Sequence, residues 1–421
     1  MIFLRRLHAL LILFSFLFSC AARSQTGDAK PNRTVAKFVV RAARMLDAAQ
    51  GKIIDNPVVL IENDRIAAVA DAAEIPKDAT LIDLGDATLL PGLIDAHTHI
   101  TYHFDEQGRF GESSDANPQV TLKYAEENAR LTLEAGFTTI RNLGDATGVD
   151  VFLRDRISSG ETSGPRMIVS GLPLTVETLR YAGKKGDRIE QIRAFVRDRI
   201  AERVDVVKIF EGVDNFGNPI FSVKEMRAGV EEARRANLKV AVHAHEAAAV
   251  RAAVEAGCDS VEHGTFLNDE AIRLMAKNRI ALVPTLYLPT HYVEHKKQFV
   301  FGAPAWNLFE TMRSRNLENM KKARKGGVLI VDGSDAVAGL HGRNAREIAW
   351  LVKAGMSPAE AIRAATVDAA ELLGLKQQVG EIKAGLTADL IAVPGNPLND
   401  ISSLERVSFV MKSGKIIKSK L

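Results

Sequence analysis

From residue 93 onward, short apolar runs alternate with longer stretches whose apolar residues recur at helical spacing, a pattern typical of βα units. Eight such runs are predicted as strands, at residues 93–100, 138–143, 166–170, 206–210, 239–245, 260–263, 281–287 and 328–334. Predicted helices lie at residues 119–134, 190–203, 223–236, 307–325, 344–353 and 358–373. The α/β pattern predicts a (β/α)8 TIM-like barrel, whose usual length is about 250 residues.

Short strands separated by turn residues flank this region on both sides. Before it they are predicted at residues 37–41, 58–61, 66–69 and 80–84, and the second and third of these form a hairpin. After it, strands are predicted at residues 388–393, 407–411 and 416–417. We therefore predict that residues 25–90 and 376–421 together build a small β-sandwich domain, and that residues 91–375 form the barrel.

Residues 1–24 have the pattern of an export signal. Arg5 and Arg6 precede an apolar run over residues 7–18, and small residues follow it. Two outcomes remain open: cleavage after Ser24, or lipid attachment at Cys20 within a sequence that is similar to a bacterial lipobox. Both predict a periplasmic or extracellular protein, and the second predicts a lipid anchor in a bacterial membrane. The only other cysteine is Cys258, so no disulfide framework is expected.

The formal net charge of +3 comes from the N-terminal segment. Three arginines and no acidic residue stand in residues 1–24, and the rest of the chain has equal numbers of basic and acidic residues. The sequence therefore lacks the basic footprint of a nucleic-acid-binding protein. A small-molecule or dipeptide partner is expected instead, and the sequence leaves open whether the chain forms a homo-oligomer.

Potential metal ligands stand where the predicted strands end. Because the active sites of such barrels lie at the carboxyl ends of their strands, these side chains are expected to meet. His97-Thr98-His99 alone fits an ordinary strand end as well as a metal site, although two imidazoles two residues apart suit zinc. The full set adds a lysine inside an apolar strand, more histidines and an acid: His97, His99, Lys208, His243, His263 and Asp335.

This set resembles the amidohydrolase superfamily, and other stretches are similar to its prolidase and imidazolonepropionase-related branch. The resemblance runs from 91–97 through 256–265 to 395–398. It implies that His97 and His99 hold one metal ion, that His243 and His263 hold a second, and that a carboxylated Lys208 bridges both. It also implies that Asp335 binds metal and serves as the general acid/base. The implied cofactors are two divalent ions, which we expect to be zinc.

Several further residues are candidates for substrate contacts. His245 lies on the same strand face as His243 and competes for its ligand role, and it is otherwise expected to contact substrate. Tyr287, Arg141 and His341 are also candidate substrate contacts: Tyr287 as a donor to the scissile carbonyl, and Arg141 as a partner for a carboxylate or for Asp145.

Two acids, Asp95 and Glu262, are placed either to orient the metal-binding imidazoles or to form structural pairs. Residue types alone do not separate these two roles.

The sequence thus predicts a metal-dependent hydrolase that cleaves an amide in a dipeptide or an N-acyl amino acid. The alternatives are a cyclic amidohydrolase or deaminase with one metal ion, and an esterase of the lactonase or phosphotriesterase type. A non-catalytic binding protein on the same scaffold is less favoured because no ligand is missing. The loop at residues 171–177 lacks the Gly-Gly-His segment that many relatives carry, which bears on specificity for peptides.

Overall fold

The computed structural model describes residues 37–70, 78–105, 107–111, 117–181, 186–337 and 339–420. The predicted export signal lies outside the described residues, so both of its proposed outcomes remain predictions. None of the described helices combines the length and the apolar character needed to cross a membrane.

The strands are β1 (Lys37–Arg41), β2 (Arg44–Asp47), β3 (Lys52–Asp55), β4 (Val58–Glu62), β5 (Arg65–Ala70), β6 (Thr80–Asp83), β7 (Ala87–Pro91), β8 (Leu93–Thr98), β9 (His103–Phe104), β10 (Phe110–Gly111), β11 (Phe137–Asn142), β12 (Arg166–Val169), β13 (Val206–Phe210), β14 (Lys239–Glu246), β15 (Ser260–Phe266), β16 (Ala281–Val283), β17 (Leu390–Pro394), β18 (Phe409–Lys412) and β19 (Lys415–Ser419). The helices are α1 (Pro118–Glu134), α2 (Val149–Ser159), α3 (Val176–Tyr181), α4 (Arg188–Ala201), α5 (Val223–Arg235), α6 (Ala247–Ala256), α7 (Asp269–Asn278), α8 (Tyr287–Glu294), α9 (Ala303–Lys325), α10 (Ala345–Lys353), α11 (Pro358–Ala364) and α12 (Val367–Leu372).

Both ends of the described chain contribute to one β-rich part. A sheet of order β19-β18-β17-β7-β2-β3 pairs C-terminal strands with N-terminal ones, because β17 runs antiparallel to β7 with Leu390 opposite Pro91. A second sheet has the order β5-β4-β1-β6. Apolar side chains from both sheets, among them Val40, Ile61 and Leu390, form a shared buried cluster. Residues 36–421 form one compact unit, so the domain boundaries at residues 90 and 376 remain predictions.

The barrel strands form two parallel sheets, of order β12-β11-β8 and β13-β14-β15-β16. Among the described residues no continuous ladder closes the ring, but single parallel bridges link its parts: Leu174 to Ile209, Leu282 to Ile330, and Thr98 to Ala336. The helices pack outside the strands over a large apolar core. The predicted fold class, a TIM-like barrel with a β-rich domain from both chain ends, is confirmed.

Three predicted elements differ from the observed ones. The eighth strand, predicted at 328–334, is reduced to the bridges at Ile330 and Ala336. The seventh, predicted to reach residue 287, ends at Val283, because Pro284 has no N–H for a ladder and Thr285 has a positive φ of 47°. The helix predicted at 358–373 is two helices, α11 and α12, and the Thr366 hydroxyl donates at the break to the Ile362 carbonyl at 2.7 Å.

Gly333 lies where the last barrel segment passes between the first and seventh strands. A Cβ at this position would stand 2.3 Å from Val283 Cγ1 and 2.9 Å from His97 Cβ. These contacts are too short for any side chain, and both neighbours belong to the strand core. The close approach at Gly333 therefore sets the spacing between the first strand and the segment that carries Asp335.

We expect Gly333→Ala to lower the free energy of unfolding by about 1–3 kcal/mol, the usual cost of overpacking a core. Urea denaturation of the metal-free protein measures it. Gly212→Ala is the matched control, because its Cβ would meet only Ile220 Cδ1 at an ordinary 3.4 Å. If both variants have the same stability as the parent, the close-packing account of Gly333 is wrong.

Candidate metal centre

Two clusters of ligand-type side chains meet at the carboxyl ends of the barrel strands. One consists of His97, His99 and Asp335, and the other of His243, His245 and His263. Within each cluster one ligand atom from every residue lies within 4.8 Å of the others. The rings of His97 and His263 approach to 5.0 Å between centroids, so the clusters adjoin. All six predicted histidine and aspartate candidates of this region, His245 included, are therefore in one place.

The first cluster has the spacing of a single-ion site. His97 Nε2 lies 3.3 Å from His99 Nε2, and Asp335 Oδ1 lies 3.4 Å and 3.1 Å from these two nitrogens. Donors on a tetrahedral zinc ion with bonds of about 2.0–2.1 Å are separated by roughly these distances. The three side chains therefore fit one divalent ion.

Lys208 lies on β13 in the barrel interior, and its side chain is 1% exposed. Its Nζ has no hydrogen-bond partner among the described residues and lies 5.0 Å from the Phe210 ring centroid. Burial lowers the pKa of Lys208 to about 8. An unpaired buried amine is costly, so this position calls for a chemical partner that the described side chains do not supply.

Three of the imidazoles, those of His97, His243 and His263, are held in the neutral form that metal ions bind. Burial, followed by the charge of Lys208, lowers the pKa of His97 to about 4. Burial also holds the pKa values of His243 and His263 well below the usual histidine range, and neighbouring imidazoles add to the effect. Near neutral pH each ring therefore keeps a nitrogen lone pair.

Hydrogen bonds to the Nδ1 atoms fix three of the rings. Glu262 Oε2 lies 2.8 Å from His97 Nδ1, Thr285 Oγ1 lies 2.7 Å from His263 Nδ1, and Thr265 Oγ1 lies 2.9 Å from His245 Nδ1. Each bond leaves the Nε2 atom of its ring for another partner. Such contacts set ring orientation at metal sites.

Glu262, and not Asp95, contacts the imidazole of a predicted ligand, a question that the sequence leaves open. Its Oε1 accepts from the Arg141 guanidinium at 3.0 Å and from the Ser260 hydroxyl at 2.5 Å. Burial opposes ionisation of Glu262, but the charge of Arg141 and the bond to His97 outweigh it and lower its pKa to about 2. The carboxylate therefore stays charged behind His97.

Asp95 instead ties the first strand to the loop around Asp335. Its carboxylate accepts from the Ser334 backbone N–H at 2.9 Å and from the Asn344 side chain at 2.8 Å. It also accepts from the His97 backbone N–H at 3.1 Å. Asp95 thus fixes the backbone at His97 and the segment that leads to Asp335.

Backbone strain coincides with this site. His263, Thr285 and Asp335 have φ values of 75°, 47° and 52°, a region that non-glycine residues rarely adopt. Each such conformation costs on the order of 1–3 kcal/mol and persists where surrounding contacts enforce it. The Asp335 N–H donates to the His97 carbonyl at 2.7 Å, which holds these two predicted ligands together.

Three candidate substrate contacts lie away from the pocket. Arg141 is 1% exposed and donates to Glu262, Ser260 and the Ala96 carbonyl, so its predicted contact with a substrate carboxylate or Asp145 is replaced by these bonds. The Arg346 guanidinium donates to Tyr287 Oη at 2.5 Å. His341 is buried, with Nδ1 3.2 Å from Thr132 Oγ1.

The pocket above the clusters has mainly apolar walls that the sequence did not predict. Their members share an uncharged side chain and lie at the end of β13, on the segments after β8 and β16, and after Asp335: Tyr102, Phe110, Phe210, Leu288, Pro289, Tyr292, Leu308, Phe309, Met312 and Val337. The signal that could have revealed them is the aromatic-rich stretch between the seventh and eighth strands, long for a barrel loop. Tyr102 stacks on the His99 ring at 4.5 Å between centroids.

Comparison with known proteins gives a consistent picture. Residues 88–417 match the model of the Amidohydrolase family. The chain is 29% identical to ochratoxinase from Aspergillus niger over 91% of its own length and 87% of that protein.

Two solved structures are also similar. The crystal structure of a Xaa-Pro dipeptidase with bound methionine has a TM-score of 0.79 and 30% identity, covering 90% of this chain and 99% of that one. A prolidase complexed with N-methylphosphonate-L-proline has a TM-score of 0.83 and 27% identity, covering 91% and 100%.

We expect Arg141→Met to lower the free energy of unfolding by about 3–5 kcal/mol, because it leaves the Glu262 carboxylate buried without its cation. Urea denaturation after EDTA treatment measures this loss apart from metal binding. Arg130→Met is the control: Arg130 pairs on the surface with Glu127 and Glu134, both at 2.7 Å, and such pairs contribute less than about 1 kcal/mol. Equal losses in the two variants would contradict the buried-pair account.

Proposed function

This chain belongs to the amidohydrolase family, and we propose that it hydrolyses the amide bond of a dipeptide or an N-acyl amino acid at two divalent metal ions. As a member of that family it is a hydrolytic enzyme that acts on amide bonds. The observation that carries the finer proposal is the unpaired Lys208 amine in a barrel interior that also holds two adjoining ligand clusters. We propose zinc as the metal, because imidazole and carboxylate donors suit it.

His97, His99 and Asp335 would hold one ion, and His243 and His263 the other. His245 belongs to the second cluster by distance and is the remaining candidate for a ligand or a substrate contact. The fit rests on the donor spacing in the first cluster and on the neutral state of His97, His243 and His263. When bound, the two ions would polarise a carbonyl group and acidify a water molecule so that it attacks near neutral pH.

A carboxylated Lys208 would complete both sites. The neutral amine attacks carbon dioxide, a nitrogen–carbon bond forms, one carbon–oxygen π bond opens to give the carboxylate, and the amine proton leaves to water. The product is an anion with two oxygen donors in place of an unpaired amine. Its charge would be balanced by the cations, which removes the cost of burying Lys208 without a partner.

Asp335 is the proposed general acid/base. Its carboxylate lies in the first cluster, 3.1 Å from His99 Nε2, and its side chain is 13% exposed at the pocket. Burial opposes ionisation, but the electrostatic interaction with His97 and the hydrogen bond with His99 outweigh it, so the pKa of Asp335 is lowered. It would accept a proton from the attacking water and donate it to the nitrogen of the leaving amine.

The remaining residues position these groups. Glu262 and Thr285 hold His97 and His263 by their Nδ1 atoms, and Asp95 fixes the backbone between His97 and Ser334. The apolar walls exclude bulk water from the reacting bond, which strengthens the electrostatic interactions inside. The bound ligands named for the two similar structures, methionine and a phosphonate of proline, support a substrate with an amino-acid portion.

We expect zinc- or manganese-loaded protein to cleave members of a dipeptide and N-acyl amino acid library, and Asp335→Asn to lower kcat/KM by about 10²–10⁴-fold, the usual contribution of a general acid/base. Amine release measures the rate. Asp332→Asn is the control: Asp332 is fully buried, has no hydrogen-bond partner among the described residues, and burial raises its pKa well above the usual range. A neutral amide there should leave the rate nearly unchanged. Equal activity of Asp335→Asn and the parent would remove Asp335 from the mechanism.

A further inference from the structure

Two helices and a hairpin cover the metal centre. We call the canopy the set formed by α8, α9 and the β9–β10 hairpin, in which Phe104 pairs with Phe110. The Val300 N–H donates to the Gly108 carbonyl at 2.7 Å, which fastens the hairpin to the segment between α8 and α9. A Cβ at Gly108 would stand 2.2 Å from the Gln298 carbonyl oxygen, so this contact requires glycine. The hairpin and the two helices of the canopy are therefore connected to one another.

Aromatic rings hold the canopy together. Ring centroids of Phe104 and Phe299 lie 4.9 Å apart, and those of Phe104 and Phe110 lie 5.3 Å apart. Tyr292 on α8 lies 4.8 Å from Phe309 on α9 and 5.1 Å from Phe299. Edge-to-face and tilted contacts at these distances are favourable beyond simple area burial. The layer above the metal centre is thus apolar and closely packed.

The charges of the pocket are confined to its floor. The floor holds the imidazoles and Asp335, whereas the helices of the canopy contribute Leu288, Tyr292, Phe309 and Met312 to the walls. Among the described residues that line the pocket there is no lysine or arginine. A charged group pressed against these walls would lose its hydration without gaining an ion pair.

We propose that the canopy selects amides that place an uncharged apolar group, aromatic or branched aliphatic, against α8 and α9, and that it disfavours the same amide when that group carries a charge. This inference rests on the proposed function, because it concerns the substrate of the same site. An apolar group gains by leaving water and by contact with the aromatic layer. The free carboxylate or amine of a peptide substrate must then face the floor or the open mouth of the pocket.

Two substrate series test the selection. One varies the residue on the acyl side of the scissile bond and the other varies the residue on the amine side, each as Phe, Leu, Glu and Lys on a constant alanine partner. We expect kcat/KM for Phe and Leu to exceed that for Glu and Lys by about a hundredfold or more in at least one series. Rates that do not depend on charge in either series would overturn the inference while leaving amide hydrolysis intact.

Equilibrium binding separates the two proposals if no compound is cleaved. The same compounds are titrated into the zinc-loaded parent protein by calorimetry, which needs no turnover. Tighter binding of the Phe and Leu compounds than of the Glu and Lys compounds supports the canopy as the selecting surface even if hydrolysis fails. Equal binding of all four types overturns it.

Charged substitutions of opposite sign at the pocket rim test whether the canopy is the surface that selects the substrate. Leu308 lines the pocket from α9 and is 41% exposed, so a charged side chain fits there without unfolding the helix. Leu308→Lys should raise the rate for Glu substrates relative to Phe by about tenfold, and Leu308→Glu should do the same for Lys substrates. Ser314 is exposed on the same helix and does not line the pocket, so Ser314→Lys and Ser314→Glu are matched controls. If the Glu-to-Phe rate ratio changed in the same direction in Leu308→Lys and Leu308→Glu, or if the Ser314 variants changed it as much as the Leu308 variants, the assignment would be overturned.

Discussion

The burial of the Lys208 amine without a hydrogen-bond partner is the constraint on which the account of this site depends. An apolar strand would be more stable with a leucine or valine at that position. Burying the lysine amine costs free energy that no described contact offsets. Two clusters of potential ligands adjoin in the same barrel, and burial keeps the imidazoles of His97, His243, His245 and His263 neutral. Carboxylation would convert the Lys208 amine into an anion, and bound metal ions would balance its charge. The same ions would also bind the unprotonated imidazole nitrogens.

The surrounding structure keeps these donors in place. Glu262 remains ionised because Arg141 lies against it, and it fixes His97 from behind. Positive φ values at His263 and Asp335 show that the backbone is held in strained conformations at two of the predicted ligands. Strain of this kind is retained where the neighbouring contacts over-determine the geometry. The strained backbone at His263 and Asp335 lowers stability but fixes the positions of two predicted ligands, as expected for a preorganised site.

Much of the fold and of the site's floor could be predicted from the sequence, and the family resemblance was confirmed. Strand-end histidines were visible because a barrel brings the carboxyl ends of distant strands together. The pocket walls could not be predicted from the sequence, because the spacing of aromatic residues such as Phe309 is the same whether they fill a core or face a substrate. The apolar run continues past Pro284, so the sequence does not reveal that the strand ends at Val283 and that Tyr287 is the first residue of α8. Arg141 was placed at the substrate because its partner, Glu262, is 121 residues away in sequence.

The most direct test of the central claim is the metal content of the purified protein after reconstitution with zinc in bicarbonate buffer. The account predicts two zinc ions per chain in the parent protein, together with a carbamate carbon signal in the 13C NMR spectrum when the bicarbonate is labelled. In Lys208→Ala the carbamate signal should vanish and the zinc content should fall below two. A parent protein that binds one ion or none, or a Lys208→Ala variant that keeps two ions and the same signal, would contradict the account.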